Sequence, residues 1–138
     1  MTHGRNLEEG TELTIDFSKI FQIGEGNHMV VPVVVQDMNT KEVLIVAYAN
    51  EEALLETFKR GEAVFYSTSR NELWHKGATS GDILAVNEVR VNCEQNSLLY
   101  LVLPQGQGAC HTKNSDGSYR SSCYYRSINS AGELRLVQ

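Results

Sequence analysis

From residue 30 onward the apolar positions fall in short runs broken by polar clusters, a spacing that suits strands better than helices. Val30-Val31-Pro32-Val33-Val34-Val35 is almost wholly β-branched and predicts a strand. Pro32 cannot donate to a ladder, so it marks an edge, a bulge or the strand's start. Asp37 to Lys41 predicts a turn and Val43 to Tyr48 the return strand of a hairpin. Ala63 to Ser67, Ile83 to Val91 and Leu98 to Leu103 predict three more strands, the last two joined through Asn92-Cys93-Glu94-Gln95-Asn96. Tyr124 to Ile128 and Leu134 to Val137 predict two short ones, and Thr68 to Asp82 a polar loop.

One segment has strong helical chemistry, Glu51 to Arg60. Asn50 can cap it, Glu51 and Glu52 lie at the positive end of its dipole, and Lys59 and Arg60 at the negative end. Gly61 supplies a left-handed stop. Leu54, Leu55 and Phe58 form its apolar stripe. Residues 1–12 read as a flexible polar arm, Asp16 to Phe21 as a short helix and Gly24 to Asn27 as a loop. The expectation is a single domain over residues 1–138. Its fold is α+β and β-dominated, with six or seven mostly antiparallel, barrel-like strands and one main helix. No repeat and no strand–helix alternation argues for a doubly wound sheet.

Composition narrows the function. The 138 residues carry a net charge of -5, which argues against a non-specific nucleic-acid binder. No apolar run is long enough to span a membrane, and the first ten residues lack the apolar core of a signal peptide. The expectation is a cytosolic protein. Its three cysteines, Cys93, Cys110 and Cys123, are an odd number, poor for a disulfide framework; in a reducing cytosol, metal binding or catalysis is the better use.

Three thiolates can hold a zinc ion and leave its fourth position open, as a catalytic zinc requires. Sixteen residues separate Cys93 from Cys110 and twelve separate Cys110 from Cys123, so neither gap is a zinc-finger knuckle. Three buried, inert thiols are the competing interpretation. Against it, all three cysteines sit in polar stretches. His111, beside Cys110, can serve as a base or proton shuttle. His75 is ambiguous, and His3 and His28 are assigned no role. The loop from Ser67 to Gly81 holds hydroxyls, glycines, Arg70 and Lys76, groups that suit a phosphate, although it lacks P-loop spacing. On chemistry alone, an ordinary solvated loop is the plainer interpretation. Trp74 can stack on a base or plug the core. If the segment 92–96 is extended, Asn92, Glu94 and Asn96 share one face and could hold magnesium; a polar β-turn is the plainer outcome.

In this order, five segments resemble the phosphoribosyl-AMP cyclohydrolases, ring-opening enzymes of histidine biosynthesis. They are Phe65-Tyr66-Ser67-Thr68-Ser69-Arg70, Leu73-Trp74-His75-Lys76-Gly77-Ala78-Thr79-Ser80-Gly81, Val91-Asn92-Cys93-Glu94 with Leu98-Leu99, Ala109-Cys110-His111-Thr112, and Ser122-Cys123-Tyr124-Tyr125-Arg126. The similarity spans roughly residues 30–130. It implies a zinc held by Cys93, Cys110 and Cys123, with ligands from both chains of an intertwined homodimer. It also implies a catalytic His111 and a substrate, 1-(5-phosphoribosyl)-AMP, whose N1–C6 bond water opens. Ser67, Arg70, Trp74, Lys76, Thr79, Ser80 and Arg126 are the expected substrate-binding residues.

The chain departs from that pattern in three places. The family usually carries aspartates, which bind magnesium, where this chain has Asn92, Glu94 and Asn96; the loss of two charges weakens any such site. The gap between Cys110 and Cys123 is lengthened within Lys113 to Ser121, which a surface excursion can absorb. His75 replaces what is often an arginine. Two alternatives follow: a zinc hydrolase acting on another purine nucleotide, or a non-catalytic zinc-stapled dimeric binding module. In the latter, His111 would close the metal's fourth position.

Overall fold

The computed structural model describes residue 15 and residues 29–137. The expected arm, the helix at 16–21, the loop at 24–27, His3 and His28 lie outside the described residues. Among the described residues, eight strands and one helix follow in the order β1 (Val31–Asp37), β2 (Val43–Ala49), α1 (Glu51–Arg60), β3 (Val64–Ser67), β4 (Glu72–His75), β5 (Leu84–Val91), β6 (Leu98–Pro104), β7 (Arg126–Ile128) and β8 (Leu134–Leu136).

β1 and β2 form the expected hairpin, and its turn is locked by Asp37, whose carboxylate accepts the N–H groups of Asn39 (2.8 Å) and Thr40 (3.1 Å). Alternation along β1 sends Val31, Val33 and Val35 into the core, where they meet Leu44, Phe65, Leu98, Tyr100 and Val102. The main sheet has the order β2-β1-β6-β5. Two of its pairings are antiparallel and the central β1–β6 pairing is parallel. The expected barrel is not formed, because β2 and β5 remain open edges and four strands are too few to close. β3–β4 and β7–β8 are separate two-stranded hairpins.

The helix ends where its sequence chemistry places them. The Asn50 side chain accepts the Ala53 N–H at 2.8 Å, and Gly61, at φ 67°, donates its N–H to the Thr57 carbonyl. Its buried face is Ala53, Leu54 and Thr57, not the expected Leu54, Leu55 and Phe58. The small residues allow close approach to β3, and the Thr57 hydroxyl accepts the Val64 N–H at 3.0 Å. That contact rotates Leu55 and Phe58 outward, each 61% exposed. A second correction concerns the loop 68–82: Glu72–His75 within it is strand β4, paired with β3 in the register Val64↔His75 to Ser67↔Glu72. Phe65 on β3, fully buried, lies 5.4 Å from Trp74 and 6.0 Å from Tyr100 between ring centroids, so Trp74 packs as a core flank. No described helix is long and apolar enough to cross a membrane.

Candidate active site

Cys110 follows β6 in a segment that runs beside residues 119–122. Three backbone bonds hold the two together: Ala109 N–H to the Ser121 carbonyl, Cys110 N–H to that of Arg120, and Arg120 N–H to that of Thr112. Gly108 makes this possible, since a Cβ there would strike the Arg120 carbonyl. Beyond the pairing, Lys113 bridges to Tyr119 around a turn at Asn114–Gly117. The extra residues between the cysteines thus form a small hairpin, and its base returns the chain. Cys123 is then fixed to the sheet by its N–H on the Leu44 carbonyl (2.8 Å), while the Ser122 hydroxyl donates to the Val43 carbonyl (2.6 Å).

The two thiols end close enough for each to shift the other's titration. Cys110 is buried and Cys123 exposed at its edge. Burial works to raise the Cys110 pKa, but the Thr112 hydroxyl (2.9 Å) and N–H (3.4 Å), Cys123 and Arg120 outweigh it and bring it below the usual thiol value. Cys123 moves the other way, pushed up to about 11 by desolvation and by the charge of Cys110, with Lys76 opposing. A low-pKa thiol paired with a second sulfur is a donor set suited to a soft divalent metal. His111 is exposed beside the pair and has no hydrogen-bond partner among the described residues.

Cys93 is not part of this cluster. Leu44, which anchors Cys123, stands between Val43 and Ile45, the partners of Gln36 and Val35 on β1; these pair with Leu101 and Tyr100 on β6. Cys93 lies in the turn before Leu98. About 10 Å of strand separates those levels, and two inter-strand spacings of about 4.8 Å lie across it. Two sulfurs on one zinc can be no more than about 4.6 Å apart, at a Zn–S length of about 2.3 Å. Among the described residues no three His, Cys, Asp or Glu side chains are grouped to hold a metal.

The segment around Cys93 is a turn, not the extended run that would align Asn92, Glu94 and Asn96 on one face. Gln95 adopts φ 54°, and the Asn92 side-chain oxygen accepts the N–H groups of Asn96 (2.8 Å) and Ser97 (2.9 Å).

The other expected residues fall in two places. Ser67, Arg70 and Trp74 line a pocket of about 280 Å³ with Tyr48, Tyr66 and Ser69, at the β3–β4 turn. There the Ser67 hydroxyl accepts from the Arg70 N–H (3.2 Å) and Nε (3.4 Å). Lys76 follows β4 at the opposite end of that hairpin, near Cys123. Next comes the tight loop with Thr79 and Ser80, both exposed. Its closure needs Gly77, at φ 83°, where a Cβ would collide with the Asp82 backbone. Arg126 and Arg120 lie 5.0 and 4.1 Å from the Tyr125 ring centroid. His75 is tied to Glu62 (Nε2 to Oε1 2.7 Å), a structural pairing between β4 and the residue after the helix stop. Thr112 and Arg120 were not assigned roles from sequence; the i+2 spacing of a hydroxyl from Cys110 is the one local signal that could have marked Thr112.

The phosphoribosyl-AMP cyclohydrolase family model matches residues 45–125. The phosphoribosyl-AMP cyclohydrolase of Haloarcula marismortui is 50% identical over 99 residues, covering 72% of this chain and 77% of that protein. That of Archaeoglobus fulgidus is 51% identical over 98 residues, covering 71% and 84%. A histidine biosynthesis bifunctional protein of Aquifex aeolicus is 43% identical over 98 residues, covering 71% of this chain and 45% of its own length. The matched span holds β3, β4 and all three cysteines, and at this identity and coverage the chain belongs to the phosphoribosyl-AMP cyclohydrolase family of enzymes.

Proposed function

We propose that the protein hydrolyses 1-(5-phosphoribosyl)-AMP in histidine biosynthesis, as a cytosolic homodimer whose zinc sites are each built from two chains. The pairing of Cys110 with Cys123, together with the distance to Cys93 on the same chain, supports this best. Cys110 and Cys123 of one copy and Cys93 of another would complete the thiolate set. The outward Leu55 and Phe58 are apolar surface that a second copy can cover.

When bound, zinc supplies the Lewis acidity that makes water nucleophilic near neutral pH. The chain's own residues do the rest. The substrate's N1 substituent leaves its adenine ring electron-poor at C6, where water adds; the N1–C6 bond then breaks, giving an imidazole carboxamide with a formimino-linked phosphoribosyl group. His111, exposed beside Cys110, moves the proton from the adding water toward the departing nitrogen. Ser67, Arg70, Lys76, Thr79, Ser80 and Arg126 bind the two phosphate ends, and Trp74 lines the pocket that takes one of them.

Spectrophotometric turnover of 1-(5-phosphoribosyl)-AMP by protein of known zinc content tests this. Activity should fall on chelation and return with added zinc; protein holding zinc yet inert toward this substrate would refute it. His111→Ala should lower kcat about 100-fold with zinc content and fold intact. An unchanged rate would remove His111 from the chemistry.

A further inference from the structure

We infer that the turn carrying Cys93 closes through an amide pair and that its oxygen-bearing side chains hold no magnesium ion, although resemblance places a magnesium site there. The residues present do not fit one. Both lone pairs of the Asn92 side-chain oxygen are taken, by the N–H groups of Asn96 and Ser97 at 2.8 and 2.9 Å. Its amide nitrogen donates to the Asn96 side-chain oxygen at 2.6 Å. The backbone adds two bonds, Asn92 N–H to the Ser97 carbonyl (3.2 Å) and Gln95 N–H to the Asn92 carbonyl (3.0 Å). Gln95, at φ 54°, folds inward and is buried.

Five hydrogen bonds therefore span residues 92–97, and all five have the Asn92 backbone or side chain at one end. A cation would have to displace backbone donors from the Asn92 oxygen. Only Glu94, exposed, offers a carboxylate. Magnesium demands close oxygen ligands in octahedral array and gives up its waters reluctantly, so one exposed carboxylate is a poor inducement. Carboxylates at 92 and 96 would reverse the balance. Three like charges in five residues repel, and a bridging cation becomes the means of closing the turn. The amide pair does the same mechanical work without charge, holding positions 92 and 96 together around Cys93.

The full-length protein and its Asn92→Asp/Asn96→Asp double variant are titrated with magnesium chloride alone, following Tm and heat of binding, with ionic strength held constant by potassium chloride. Neither readout depends on which reaction the protein catalyses. The native protein should show no saturable heat and no Tm change to 10 mM, roughly the upper range for weak extracellular-type sites. The double variant should melt lower than native without magnesium and recover at least about 3 °C, saturably, as magnesium is added. A saturable rise in the native protein that Glu94→Gln removes would overturn the inference. So would a double variant with native Tm and no response to magnesium, because the amide pair would then not be what closes the turn.

Discussion

Mixing two inactive variants, Cys93→Ala and Cys123→Ala, should restore about one quarter of native turnover. In a random mixture of the homodimer proposed above, half of the dimers carry one chain of each kind. A mixed dimer has one site with both lesions and one with none, so half of the dimers contribute half of their sites. Each variant alone should have lost its zinc and at least about 1,000-fold in kcat, the several kcal/mol a metal contributes to such chemistry. The basis is geometric. Cys110 and Cys123 approach across the 108–112 and 120–123 pairing, while Cys93 sits in the β5–β6 turn, several residue levels away along the sheet and at least two strands across. Co-expression with two affinity tags, followed by zinc analysis and turnover of the doubly purified fraction, reads the result directly. That fraction should hold one zinc per dimer and half of native activity. A doubly tagged dimer with no activity would mean that all three ligands come from one chain in some other arrangement, and a Cys93→Ala variant that keeps its zinc would mean that the third cysteine is not a ligand.

The second large effect is expected at a residue with no side chain. Gly108→Ala should destabilise the protein by about 1–3 kcal/mol and lower both zinc content and turnover at least about tenfold. The new methyl group would lie against the Arg120 backbone, which cannot swing aside as a side chain tip can. Relief requires parting residues 108–112 from 119–122, and those contacts are what bring Cys110 to Cys123. Gly117→Ala is the comparison. Its φ of 89° carries a strain of about 1–2 kcal/mol, but its surroundings are open and it lies at the far tip of the insert hairpin. That variant should lose stability while keeping its zinc. Denaturant melts and metal analysis of the pair separate a local strain from loss of the thiol pair; full zinc and full activity in Gly108→Ala would refute the role given to this contact.

Much of the chain was legible because its signals are local. The β1–β2 hairpin follows from a β-branched run, an aspartate that binds the turn's own N–H groups, and a second apolar run. Helix α1 begins and ends at Asn50 and Gly61 because the caps satisfy backbone groups within three or four residues. The motifs of the candidate site were likewise readable in sequence order, as were their residue types.

Contacts between distant segments escaped that reading. β4 hides in a polar stretch because its partner, β3, supplies the apolar face and the ladder. Leu55 and Phe58 look like core residues by spacing, yet a threonine hydroxyl that caps a β3 N–H turned the helix the other way. The parallel β1–β6 pairing joins strands some 65 residues apart, and no local pattern distinguishes parallel from antiparallel neighbours. The same holds for the cysteines. Three thiols in polar surroundings, one beside a histidine, could be recognised from sequence as candidate metal ligands. Which two approach one another, and which stands apart, was decided by strand register and by the glycine that lets two backbones touch. Residue type is a local property of the chain; distance is set only when the segments between have paired.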